Sequence, residues 1–94
     1  MTVDLETIAL EAQARYWLAY AALNSAAANH DEAQLALAAD GLEEATQNVF
    51  ATLAPSPALL AGKVKIAMQD IDNIAAKEWL ETIRVDLEFM SQKP

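Results

Sequence analysis

The chain of 94 residues is long enough for one domain, taken as residues 1–94, with a modest core, and at that size stability is slim unless association adds to it. Apolar residues make up 54%, much of it alanine, which favours helix while burying little area. Two glycines and three prolines are too few to punctuate a many-stranded β fold, and no cysteine is present for a disulfide framework or a thiolate metal site.

The net charge of −8 is unevenly spread: Arg15 is the one Lys or Arg before Lys63, whereas five bases nearly balance the acids beyond it. An acidic surface repels nucleic acid and anionic lipid, so neither direct nucleic-acid binding nor membrane association is expected. The start of the chain carries Asp4 and Glu6 where a signal peptide would be basic, and the apolar run from Tyr16 to Leu23 is far short of the roughly 20 residues that span a bilayer. A cytoplasmic protein is expected.

Taken in chain order, the spacing predicts an all-α fold, an antiparallel four-helix bundle with helices about 4–28, 30–53, 57–71 and 74–91. The first carries Leu5, Ile8, Ala12, Tyr16, Ala19, Leu23 and Ala26 at steps of three and four, with Thr2 or Asp4 as N-cap. Asn29 followed by Glu32 has the form of a capping box opening the second helix across a tight turn. The second helix buries Leu35, Ala38, Leu42, Ala45, Val49 and Leu53; Gly41 within it calls for a kink or a close neighbour. Pro55 and Pro57 end it, and Ser56 caps the third helix with Pro57 in its first turn. Leu60, Val64, Ala67 and Ile71 are the expected core side of helix three, and Ala76, Leu80, Ile83, Leu87 and Met90 that of helix four. The rhythm breaks near Asp72 and Asn73, which separates these two helices.

Helix one has a second apolar stripe. Leu10, Ala14, Trp17, Ala21 and Asn24 lie roughly opposite the first, with Tyr20 beside Trp17. A helix apolar nearly all round is normally buried nearly all round. These six residues are the candidate interface, pointing to a homodimer or a protein partner anchored by aromatics. The plainer alternative makes helix one the centre of a monomeric bundle.

No constellation carries recognisable chemistry. His30 sits in a predicted turn beside Asp31 and Glu32, without the Glu-x-x-His pattern of bundle metal sites. Glu43 with Glu44, and Glu78 with Glu81, fall on outward faces where Lys77 and Arg84 pair with them as solvated helices commonly allow. No glycine-rich phosphate loop exists. No catalytic, cofactor-binding or metal-binding residue is expected, no polar residue falls on the predicted core stripes, and the chain reads as a non-enzymatic interaction module that self-associates. The alternative is an acidic inhibitor or regulator of a nucleic-acid-processing protein, presenting Asp40, Glu43 and Glu44 to a basic groove.

The segment Leu53-Ala54-Pro55-Ser56-Pro57-Ala58-Leu59-Leu60-Ala61-Gly62-Lys63-Val64, with Glu78-Trp79-Leu80-Glu81 and Asp86-Leu87-Glu88 further on, resembles small alanine-rich, uncharacterised helical proteins of α-proteobacteria, some of them prophage-associated. The resemblance lies mainly in residues 53–90. It implies a helical fold and a bacterial, mobile-element setting, which would suit a phage-derived regulator, and it carries no site residues.

Overall fold

The computed structural model describes residues 4–70 and 76–92. Among them lie four helices and no strand: α1 (Leu5–Ala28), α2 (Glu32–Ala51), α3 (Pro57–Asp70) and α4 (Ala76–Ser91).

Local signals explain most boundaries. The Asp4 carboxylate accepts the Glu6 N–H at 3.0 Å and the Thr7 hydroxyl at 3.0 Å, so Asp4 caps α1. At the other end His30 adopts φ 54°, donating to Ala27 O while Asp31 donates to Ala26 O. That pair of bonds is a Schellman closure, with a histidine in the left-handed position glycine usually takes. The expected capping box is replaced by Asp31, whose side chain accepts from the Gln34 N–H at 3.2 Å. With residue 30 closing α1, the first residue free to turn into α2 is Asp31 and not Asn29. Ser56 Oγ accepts from the Leu59 N–H at 3.3 Å, with Pro57 opening α3. Helices three and four are separate, and the predicted break at Asp72 and Asn73 lies outside the described residues.

The helices α1 and α2 make the most extensive pairing, α3 rests on both, and α4 packs on α3 and α2. Ala12, Tyr16, Val49, Ile66, Ala67 and Trp79 form the core, flanked by Trp17, Tyr20, Leu42, Ala45 and Phe50. All of these belong to one end of the α1–α2 pair. Residues 27–37, around the turn at the other end, are exposed throughout. The Cα extents of 51 × 34 × 17 Å describe a long, flat body, and the radius of gyration of 14.6 Å exceeds the roughly 12.4 Å of a compact chain this long.

Two core stripes differ from expectation. On α4 the buried residues are Trp79 and Asp86, whereas Leu80 and Leu87 stand 65% and 52% exposed. On α3 the buried residues are Lys63, Ile66, Ala67 and Asp70, leaving Leu60 and Val64 half-buried. Polar residues therefore do occupy the core, and their pairing rotates both helices away from the purely apolar solution. At the start of α1, Leu5 and Ile8 are exposed and Ala9 is buried in their place.

The pairing centres on Lys63 and Asp86, each 1% exposed, with Nζ 2.8 Å from Asp86 Oδ2. The ammonium also donates to Thr52 O at 2.9 Å and to Thr82 Oγ1 at 3.0 Å, and the Thr82 hydroxyl donates to Phe50 O at 3.0 Å. No hydrogen bond reaches Asp86 Oδ2, whose partner is the Lys63 charge, while Oδ1 accepts from the Ala54 N–H at 3.3 Å. The network thus satisfies carbonyls that the end of α2 leaves open and locks α2, α3 and α4 together. Trp79 adds a second bond, its indole N–H donating to Asp70 Oδ2 at 3.2 Å.

The two glycines serve different ends. At Gly62 a Cβ would collide with Gln13 Oε1 and Cδ, and Gln13 Nε2 donates to Leu59 O at 2.7 Å, so the missing side chain lets α1 and α3 be bridged there. Around Gly41 nothing lies within 4 Å of an added Cβ, which excludes the close-neighbour explanation. Gly41→Ala is accordingly expected to raise stability by about 1 kcal/mol; an unchanged or lower urea midpoint would contradict this.

Candidate association surface

The six residues proposed for the second stripe of α1 separate into two groups. Trp17 and Tyr20 are half-buried against the core. Trp17 meets Tyr16 edge-on with ring centroids 5.0 Å apart, Tyr20 lies 5.8 Å from Trp17, and Lys65 Nζ from α3 sits 5.4 Å from the Trp17 ring centroid. This is a cation–π contact within the chain, so Trp17 helps hold α1 to α3. Leu10, Ala14, Ala21 and Asn24 are exposed, Leu10 at 61%.

Leu18, absent from the predicted stripe, is 72% exposed on the side of α1 opposite Ala9, Ala12 and Tyr16. The four-residue step from Leu10 through Ala14 reaches Leu18 as readily as the mixed step reaches Trp17. The spacing therefore held that signal, and only the packing of Trp17 onto α3 decides between the two. Leu10, Ala14, Leu18 and Ala21 line the outer face, bordered by exposed Glu11 and Arg15.

Asp40, Glu43 and Glu44 are all exposed, but the two glutamates border different grooves. Glu43 lines a cleft of about 420 Å³ with Leu23, Leu42, Thr46, Gln47 and Asp70. Glu44 lies with Arg15, Ala19, Gly41 and Asn48 on another. The acidic residues thus flank α2 without converging on one concave site.

The chemistry of the interior is that of closure. Lys63 and Asp86 are sealed from solvent, with their neighbours supplying hydrogen bonds. Burial pushes the Tyr16 hydroxyl above its ordinary range, helped by nearby Tyr20 and Asp70. On the surface of α4, Arg84 pairs with Glu81 at 3.0 Å and also with Glu88; its guanidinium is raised by the Glu81 hydrogen bond and charge, with Glu88 contributing. His30 is exposed in its turn.

No family model matches this chain, and neither a curated protein nor a solved structure similar to it is found. The likeness of residues 53–90 to alanine-rich bacterial proteins rests on those residues alone. Among the described residues no helix is long and apolar enough to cross a membrane.

Proposed function

We propose that the protein is a small non-enzymatic interaction module of the cytoplasm that forms a homodimer, its four helices arranged as an antiparallel bundle. The observation that carries this reading is surplus surface. The chain exposes 6364 Å², against about 5,300 Å² for a compact monomer of 10.2 kDa. The surplus of roughly 1,000 Å² is comparable to the roughly 800 Å² that each partner contributes to a standard interface. It is accompanied by exposed leucines at Leu10 and Leu18 on α1, Leu37 on α2, and Leu80 and Leu87 on α4. Exposed apolar area on this scale marks association surfaces.

Light scattering after gel filtration tests the reading. The wild type is expected at twice the 10.2 kDa chain mass at micromolar concentration. Leu10→Asp with Leu18→Asp, both on exposed positions, should weaken the dimer at least about a hundredfold, since each buried leucine contributes about 1.5–3 kcal/mol. Trp17→Ala is a poorer probe because it also removes packing between α1 and α3. A wild type that stays monomeric at hundreds of micromolar would refute the proposal and leave the acidic residues Asp40, Glu43 and Glu44 as the surface to test for a basic partner.

A further inference from the structure

The outer face of α1 has an order that specifies its partner, granted the self-association just proposed. Leu10, Ala14, Leu18 and Ala22 follow one another at four-residue steps, with Thr7 before them and Ser25 after, and all six are exposed. Leu10 and Leu18 are 61% and 72% exposed, against Ala12 and Tyr16 at 3% each on the opposite side. The series is large, small, large, small, and its midpoint falls at the level of Tyr16. Reversed end for end about that level, it complements itself. Leu18 falls opposite Ala14, Leu10 opposite Ala22, and Thr7 opposite Ser25.

A two-fold contact uses one patch twice and requires such self-complementarity. A surface shaped for an unrelated partner has no reason to match its own reversal. We infer that the outer face of α1 is the seam of a homodimer in which two α1 helices run antiparallel about a two-fold axis level with Tyr16. Each leucine seats over an alanine of the other copy. Alanine under each leucine permits helix axes near the close end of the usual 8–10 Å range. The surface surplus of roughly 1,000 Å² supplies the area that a stable contact needs, and the charged borders at Glu11 and Arg15 stay at the rim, where interfaces are polar.

The absence of cysteine makes the register directly testable, because any introduced thiol is the single one in its chain. Ala14→Cys and Leu18→Cys are prepared separately, one carrying an affinity tag so that mixed species differ in size. Each is oxidised mildly alone and after mixing, and the wild-type mass is measured in parallel. A disulfide needs Cα atoms within about 7 Å. In the antiparallel seam positions 14 and 18 of different copies meet, whereas two copies of position 14 lie about 10 Å apart, from four residues of rise combined with the interaxial distance. The expected result is a covalent heterodimer in the mixture, at least about tenfold above the homodimers that either variant forms alone.

Efficient cross-linking of each variant with itself would mean a parallel seam and overturn the inference. A dimeric wild type without cross-linking in any sample would also overturn it, placing the contact on another face while leaving self-association intact. A monomeric wild type would overturn both.

Discussion

Replacing Lys63 by methionine, or Asp86 by alanine, is expected to lower the unfolding free energy by about 3–5 kcal/mol, the cost of leaving one buried charge without its partner. Both side chains are 1% exposed and 2.8 Å apart, so water cannot replace the missing member. Asp86→Ala also takes the acceptor from the Ala54 N–H, and Lys63→Met takes the donor from Thr52 O. A domain of this kind has only about 5–15 kcal/mol in total, so either single variant should be close to unfolding at physiological temperature. The joint replacement Lys63→Met with Asp86→Leu removes both desolvation costs and should recover most of the loss. Urea denaturation of the four proteins measures the coupling. Single variants that cost under about 1 kcal/mol would mean that the pair is solvated and the clasp between α2, α3 and α4 is not formed as described.

Truncating Trp79 should be nearly as severe. Its side chain is 2% exposed, packs edge-on against Phe50 at 5.0 Å and donates to Asp70 Oδ2. Trp79→Ala is expected to cost about 3–5 kcal/mol, the usual range for removing a large buried aromatic. Trp79→Phe keeps most of the apolar volume and should cost about 1–3 kcal/mol, chiefly through the lost charge-assisted hydrogen bond. The difference between the two variants, read from denaturant midpoints, separates packing from hydrogen bonding. Equal losses would show that the bond to Asp70 governs and the ring packing contributes little.

Much of the local structure was legible because its causes are local. Asp4 caps α1 through its own neighbours, and Ser56 with Pro57 opens α3 through a bond three residues long. The capping signal at Asn29 and Glu32 misled, since it competes with a closure in which His30 takes a positive φ, and a histidine there leaves no glycine as a signal. On α1 the reading located an outward apolar stripe but ran it through Trp17. That side chain meets Lys65 of α3, a contact fifty residues away in sequence that no periodicity on α1 contains. Leu18 takes the outward place instead, and with it the candidate surface changes from an aromatic patch to an alternation of leucine and alanine.

The chain by itself determined the all-helical class, the number of helices and the position of their caps. Alanine content, the three-four spacing and the two prolines act within a few residues of where they stand. Which side of α3 and α4 turns inward was decided only in the tertiary structure. Apolar periodicity ranks Leu80 and Leu87 above Asp86, and Leu60 and Val64 above Lys63, because it scores each side chain alone. A buried lysine is costly by itself, and so is a buried aspartate, but together, with the open carbonyls at the end of α2, they offset each other's desolvation. That mutual satisfaction joins residues 23 positions apart on different helices, and it comes into being only when those helices meet.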